Sequence, residues 1–137
     1  MSEELVREER QAQASVLERL LGAELPNVLA ELPTVRYEIP RLSELTGGPV
    51  IFTLRALPYG RVQELQRMAE DVEIHILLAG CADPSLKDPA LLEKVKAATP
   101  LIAVQKMLLP GEIEDLSRVV ERLSGYRRAT IREVKNA

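Results

Sequence analysis

The sequence contains no tryptophan, a single histidine (His75) and a single cysteine (Cys81). Aromatic residues make up only 3% of it: Tyr37, Phe52, Tyr59 and Tyr126. Each shortage excludes something. One cysteine cannot form an intrachain disulfide, and the count fits a reducing compartment. One histidine and one cysteine make a poor start on a metal site, which needs several converging ligands. With so few rings the core must be aliphatic. No apolar run approaches the ~20 residues of a membrane helix. The opening MSEELVREERQAQ is charged where a signal peptide would be apolar. The expected location is the cytoplasm, away from any membrane.

What is present is aliphatic and mixed in charge. The 137 residues favour one domain and suffice for a real core. Hydrophobic residues reach 46%, which excludes a disordered chain. The net charge is −3 with 28% charged residues, a balance that does not suggest a polyanion-binding protein.

Periodicity sets out the elements. Leu5, Ala12, Val16 and Leu20, with Leu17 and Leu21 beside them, predict a first helix over Glu3 to Leu21 that stops at Gly22. Pro26 opens NVLAEL, enough for one or two helical turns before Pro33. VRYEI (residues 35–39) alternates with a period of two, and VIFTLRAL (residues 50–57) is β-branched and aromatic at its start. Pro40 and the turn Gly47-Gly48-Pro49 lie between them, so the pair reads as a two-stranded antiparallel ribbon that must pack on helices. From Pro58 to Gly80, Val62, Leu65, Met68/Ala69, Val72, Ile76 and Ala79 fit one helical face. Val72, Ile74, Ile76 and Leu78 also alternate like a strand. Length decides for one helix. ADPSLKDP reads as a loop. Asp88-Pro89 and Thr99-Pro100 each pair an N-cap with proline at the first helical position. They start ALLEKVKAA and LIAVQKMLL, and the second, apolar on nearly every side, is expected to be the most buried helix. The final helix carries Ile113, Leu116, Val119, Val120 and Leu123 in one stripe. It ends at Ser124-Gly125, where Gly125 is expected to take a positive φ.

The predicted fold is therefore α+β and mostly helical, with about five helices and one β-ribbon at about 35–39 and 50–57. The predicted organisation is an N-terminal helical segment (1–34) that either docks or remains a mobile arm, a core (35–126), and a basic C-terminal tail (127–137).

Candidate chemistry is sparse. His75 and Cys81 stand six positions apart in the predicted helix and so point to different sides. A partly buried histidine and a core cysteine explain them without a nucleophile. Gly47-Gly48 lacks phosphate-loop spacing. Glu112, Glu114 and Asp115 sit in a first helical turn, where acids favour the positive end of the helix dipole. Asp83 and Asp88 lack calcium-loop spacing and read as loop and cap residues. Arg127, Arg128, Arg132 and Lys135, interrupted by Glu133, leave a weak nucleic-acid footprint. The candidate recognition helix, residues 112–122, is acidic where base contacts belong. No catalytic, cofactor-binding or metal residue emerges, and no partner-binding residue can be assigned. On the residues alone the chain is a mostly helical, non-enzymatic domain suited to binding protein. A small DNA-binding regulator and a generic adaptor both stay open.

An ordered set of segments adds to this. YEIPRL (residues 37–42), FTLRAL with YGRVQEL (within 52–65), AGCADPSLKDPALL (79–92), Thr99-Pro100 and KMLLPGEIEDLSRVVERLSGY (106–126) succeed one another. In this order they resemble the XkdN-like tail assembly chaperones of contractile-tailed phages and prophages of Gram-positive bacteria. The resemblance implies a non-enzymatic chaperone, without cofactor, that acts in the host cytoplasm and is absent from the mature virion. It implies binding of the tape measure protein and help in recruiting tail tube subunits. Self-association into a homo-oligomer is compatible with it, as is a longer frameshifted product. The family assigns no catalytic residues, so none are carried over.

Overall fold

The computed structural model describes residues 15–68 and 70–135. It divides into two units, 1–31 and 32–137. In the first, Ser15 caps helix α1 (Val16–Gly22) by accepting from the Glu18 N–H at 3.1 Å. None of its residues is buried. Most of the long first helix expected over Glu3 to Leu21 lies outside the described residues. The helix expected after Pro26 is only a turn. The Asn27 side chain accepts from the Leu29 N–H and the Asn27 carbonyl accepts from Ala30 and Glu31, a local alternative that asparagine offers to helix.

The second unit runs β1 (Thr34–Glu38), α2 (Pro40–Thr46), β2 (Ile51–Arg55), α3 (Tyr59–Gln66), α4 (Val72–Gly80), β3 (Cys81–Asp83), α5 (Pro89–Lys94), α6 (Pro100–Met107) and α7 (Pro110–Leu123). The α+β class and the antiparallel ribbon match expectation. The counts do not: the described residues hold seven helices and a three-stranded sheet in the order β1-β2-β3.

The additions have physical causes. Helix α2 lies in what the sequence presents as a bare connection between strands. Pro40 stands at its first position, and Gly47 at φ 78° ends it by donating to the Ser43 carbonyl. Only Leu42 and Leu45 are apolar in it, too few for a period, so the Pro–Gly punctuation was the one available signal. Strand β3 falls in the expected loop. Three residues show no alternation, and it exists only because β2 offers a free edge. Leu54 pairs with Cys81 and Thr53 with Asp83, with an irregularity between them.

The single helix expected over Pro58 to Gly80 is broken in two. On an unbroken helix Ile74 would point opposite to Leu65 and Ile76. All three are buried, as is Leu77. The chain therefore leaves helix after Gln66 and restarts at Val72, with Asp71 in the left-handed region at φ 55°. The restart lets α4 bury Ile74, Ile76, Leu77 and Gly80 on one side and half-bury Val72, His75, Leu78 and Ala79 on the other. This makes α4 the central helix, packed on α7, α3 and α6. Helix α6, expected to be the most buried, buries only Ala103 and Val104.

The sheet register sets Val35 opposite Leu54 and Tyr37 opposite Phe52, so these four share one face. Phe52 and Leu54 are buried, and β2 packs against α7. Helix α7 presents Ile113, Leu116, Val119 and Val120 to the core, all buried, with Leu123 partly so. The core is aliphatic around one ring, Phe52.

Candidate functional site

The surface feature with the best-defined construction is a groove between α3, α4 and the C-terminal end of α7. Its floor is Leu57, Val62, Leu65, Val72 and Ile76, and its volume is about 240 Å³. Each floor residue is there for a local reason. Val62 and Leu65 are one turn apart on α3. Val72 and Ile76 are one turn apart on α4. The break at residues 67–71 sets the two pairs against each other. Leu57 follows β2, and its N–H donates to Ser124 Oγ at 2.8 Å, while that hydroxyl donates to the Val120 carbonyl at 2.7 Å. The serine thus ties the groove floor to the end of α7.

The rim is polar: Gln66, Glu121, Ser124, Tyr126 and Arg127. Its shape comes from the way α7 stops. Gly125 has φ +94°, its N–H donates to the Arg122 carbonyl, and the Tyr126 N–H donates to the Glu121 carbonyl. These two bonds form a Schellman cap, as the expected positive φ at Gly125 requires. The reversal sets Tyr126, 43% exposed, and Arg127 over the groove mouth. Arg127 forms an ion pair with Glu121, which raises the arginine pKa further.

At the other end of α7, Glu112 lies in the first helical turn, as expected. Its carboxylate accepts from the Leu109 N–H at 2.7 Å, covering an open donor at the helix start. It also accepts from both Nε and Nη2 of Arg41 on α2, while Arg41 Nη2 reaches the Met107 carbonyl at 2.6 Å. The hydrogen bonds from Arg41 hold the Glu112 carboxyl below the usual carboxylate range. Arg41 was not singled out from the sequence, because a lone arginine 71 positions from its partner leaves no local pattern. Glu114 pairs with Arg118 one turn on. Asp115 is exposed on α7.

The other candidates are placed apart. His75 is on α4, while Cys81 is in β3 rather than in a continuing helix. The Cys81 thiol donates to the Pro84 carbonyl at 3.3 Å, and burial pushes its pKa up to about 11. That environment opposes a nucleophilic thiolate. Asp88 caps α5 by accepting from the Ala90 N–H, and Thr99 caps α6 by accepting from Ile102, as expected. Asp83 belongs to β3. Among the described residues, no three His, Cys, Asp or Glu side chains gather as a metal site, and no helix is long and apolar enough to cross a membrane. The basic residues Arg128 and Arg132 lie in an exposed segment outside helix and strand.

The model of the phage XkdN-like tail assembly chaperone family matches residues 69–137. The chain belongs to this family. The match spans α4 to the C-terminal segment, so it contains both ends of α7 and two of the five floor residues, Val72 and Ile76. The YEIPRL and FTLRAL segments lie before it. Among solved structures, the crystal structure of the protein yqbn is similar, with a TM-score of 0.55 and 18% identity over 76% of this chain and 98% of that one. At this identity the likeness concerns the fold. No curated protein matches the chain.

Proposed function

We propose that this member of the tail assembly chaperone family is non-enzymatic, binds the tape measure protein in the host cytoplasm, and helps recruit tail tube subunits before leaving the maturing tail. Membership of the family carries this reading. The groove supports it at the level of residues. Val62 and Val72, half-buried over the buried Leu57, Leu65 and Ile76 and inside a polar rim, offer an apolar contact suited to an amphipathic client helix, whose apolar anchors recur every three or four residues. Client helices held this way stay soluble, and the work needs no acid, base or nucleophile.

The test is co-expression with the tape measure protein of the same locus. The expected result is a soluble complex recovered at low salt. A client that stays insoluble, with no complex, overturns the chaperone reading. Val62→Asp separates the groove from the function. It should abolish recovery while circular dichroism remains unchanged. Undiminished complex with Val62→Asp would move the client surface elsewhere and leave the chaperone reading intact.

A further inference from the structure

Among the described residues, strand β1 is a free edge. It is terminal in the sheet, and Thr34, Arg36, Tyr37 and Glu38 are exposed. The Ala56 N–H donates to the Pro33 carbonyl and the Ile39 N–H to the Val50 carbonyl, so residues 33 and 39 face β2. Antiparallel ladders alternate, which directs the backbone groups of Thr34, Arg36 and Glu38 away from β2, towards solvent. Open edges of this kind template pairing with another strand.

We propose that β1 pairs antiparallel with β1 of a second copy of this chain, across a two-fold axis at Tyr37. The charges select both partner and register. With Tyr37 opposite Tyr37, Arg36 of each copy lies opposite Glu38 of the other, twice over. All four residues present outward backbone groups, so they form hydrogen-bonded pairs. A register shifted by two residues one way sets Arg36 against Arg36. Shifted the other way, it sets Glu38 against Glu38. Opposite charges across a ladder stabilise it and like charges weaken it, so one register is favoured over both neighbours. Glu38 is already oriented, since its Oε2 accepts from the Ser43 hydroxyl at 2.8 Å. Among the described residues Arg36 makes no ion pair within its own chain. Tyr37 is 45% exposed although it shares the sheet face of the buried Phe52. At the axis each ring gains the other as a neighbour. The two sheets become one of six strands, ordered β3-β2-β1-β1-β2-β3.

The contact is short, so the dimer is weak and depends on concentration. Sedimentation of the full chain should show a mass rising from 15.3 kDa towards twice that value as concentration increases to ~0.5 mM, a range that detects Kd values near the millimolar limit. Arg36→Glu and Glu38→Arg should each weaken association by about tenfold or more, because each replaces two attractive pairs by two repulsive ones. The double variant R36E/E38R should restore it. In a Cys81→Ser background, Tyr37→Cys should oxidise to a covalent dimer, since directly opposed residues of a non-hydrogen-bonded pair lie ~4.5 Å apart, within disulfide reach. A wild-type monomer throughout the range overturns the proposal. So does a dimer indifferent to the single variants, a double variant that fails to recover, or a Tyr37→Cys protein that stays uncrosslinked.

Discussion

Gly80→Ala tests the packing that holds the groove together, because two physical effects predict opposite signs. Gly80 is the last residue of α4 and is buried. Its φ is not among the positive ones, so alanine fits its backbone. On helix propensity alone the change would stabilise by up to ~1 kcal/mol. The surroundings oppose it. A Cβ at this position would lie 2.5 Å from Val120 Cγ1, 2.6 Å from Cγ2 and 3.1 Å from the Arg55 carbonyl oxygen. Carbon atoms pack at about 3.5–4.0 Å, so two contacts are short by roughly 1 Å. Val120 cannot simply turn away. It is 0% exposed, and a rotation of χ1 that moves one methyl brings the other in. The third contact is β2 backbone. Relief requires α7 to shift from α4, and overpacking of this kind costs about 1–3 kcal/mol.

The assay is urea unfolding followed by circular dichroism. Gly80→Ala should lower the midpoint without changing the slope, and should lower Tm by about 4 °C per kcal/mol. Val120→Ala alone should also destabilise, through loss of buried methyls. Combined, the two should cost at least ~1 kcal/mol less than their sum, because the new methyl fills the space vacated by valine. A stabilised Gly80→Ala protein, or strict additivity in the double variant, would refute the close approach of α4 to α7.

Other outcomes follow from single residues. Gly125→Ala should destabilise by about 1 kcal/mol in the same assay, since alanine is strained at φ +94°. Glu112 has a folded-state pKa below its unfolded value. Its contribution is complete above about pH 5 and is lost as pH falls through the unfolded value of ~4.3 towards the folded one. Glu112→Gln, which keeps an acceptor for the Leu109 N–H, should therefore flatten the acid limb of a stability–pH curve; an unchanged limb would remove the Arg41 pair from the account. Native Cys81, with its pKa up to about 11, should react with iodoacetamide at neutral pH far more slowly than in the unfolded chain, and an equal rate in both states would contradict its burial.

Elements whose signals are local could be read from the sequence. Asp88-Pro89 and Thr99-Pro100 each place a helix start, because a cap and proline act within one turn. The stripe of α7 and the reversal at Gly125 were legible for the same reason. What escaped depends on distant partners. Strand β3 exists through β2, and the break between α3 and α4 has neither glycine nor proline to announce it. A continuous apolar period from Val62 to Ala79 conceals that Ile74 and Leu77 need burial as much as Leu65 and Ile76. Periodicity records which residues are apolar along one line. It does not record that a central helix can be covered on every side.

The groove was not legible for the same reason. Catalytic and metal sites need particular residue types, so their scarcity can be noticed in a sequence with one histidine and one cysteine. A helix-binding surface needs only aliphatic side chains, which are also what a core needs. The half-buried Val62 and Val72 stand in the same apolar period as the buried Leu65 and Ile76, so spacing does not tell covered from open. The difference is made by the restart at Val72, which sets two helical pairs side by side, and by the Schellman reversal, which turns Tyr126 and Arg127 to the rim. The stretch LLPGEIEDLSRVVERLSGY therefore contributes through its two ends. Glu112 fixes one end to Arg41, and Gly125 shapes the mouth of the groove at the other. Disturbing Gly125 should alter client binding as well as stability, whereas Glu112→Gln should alter stability alone.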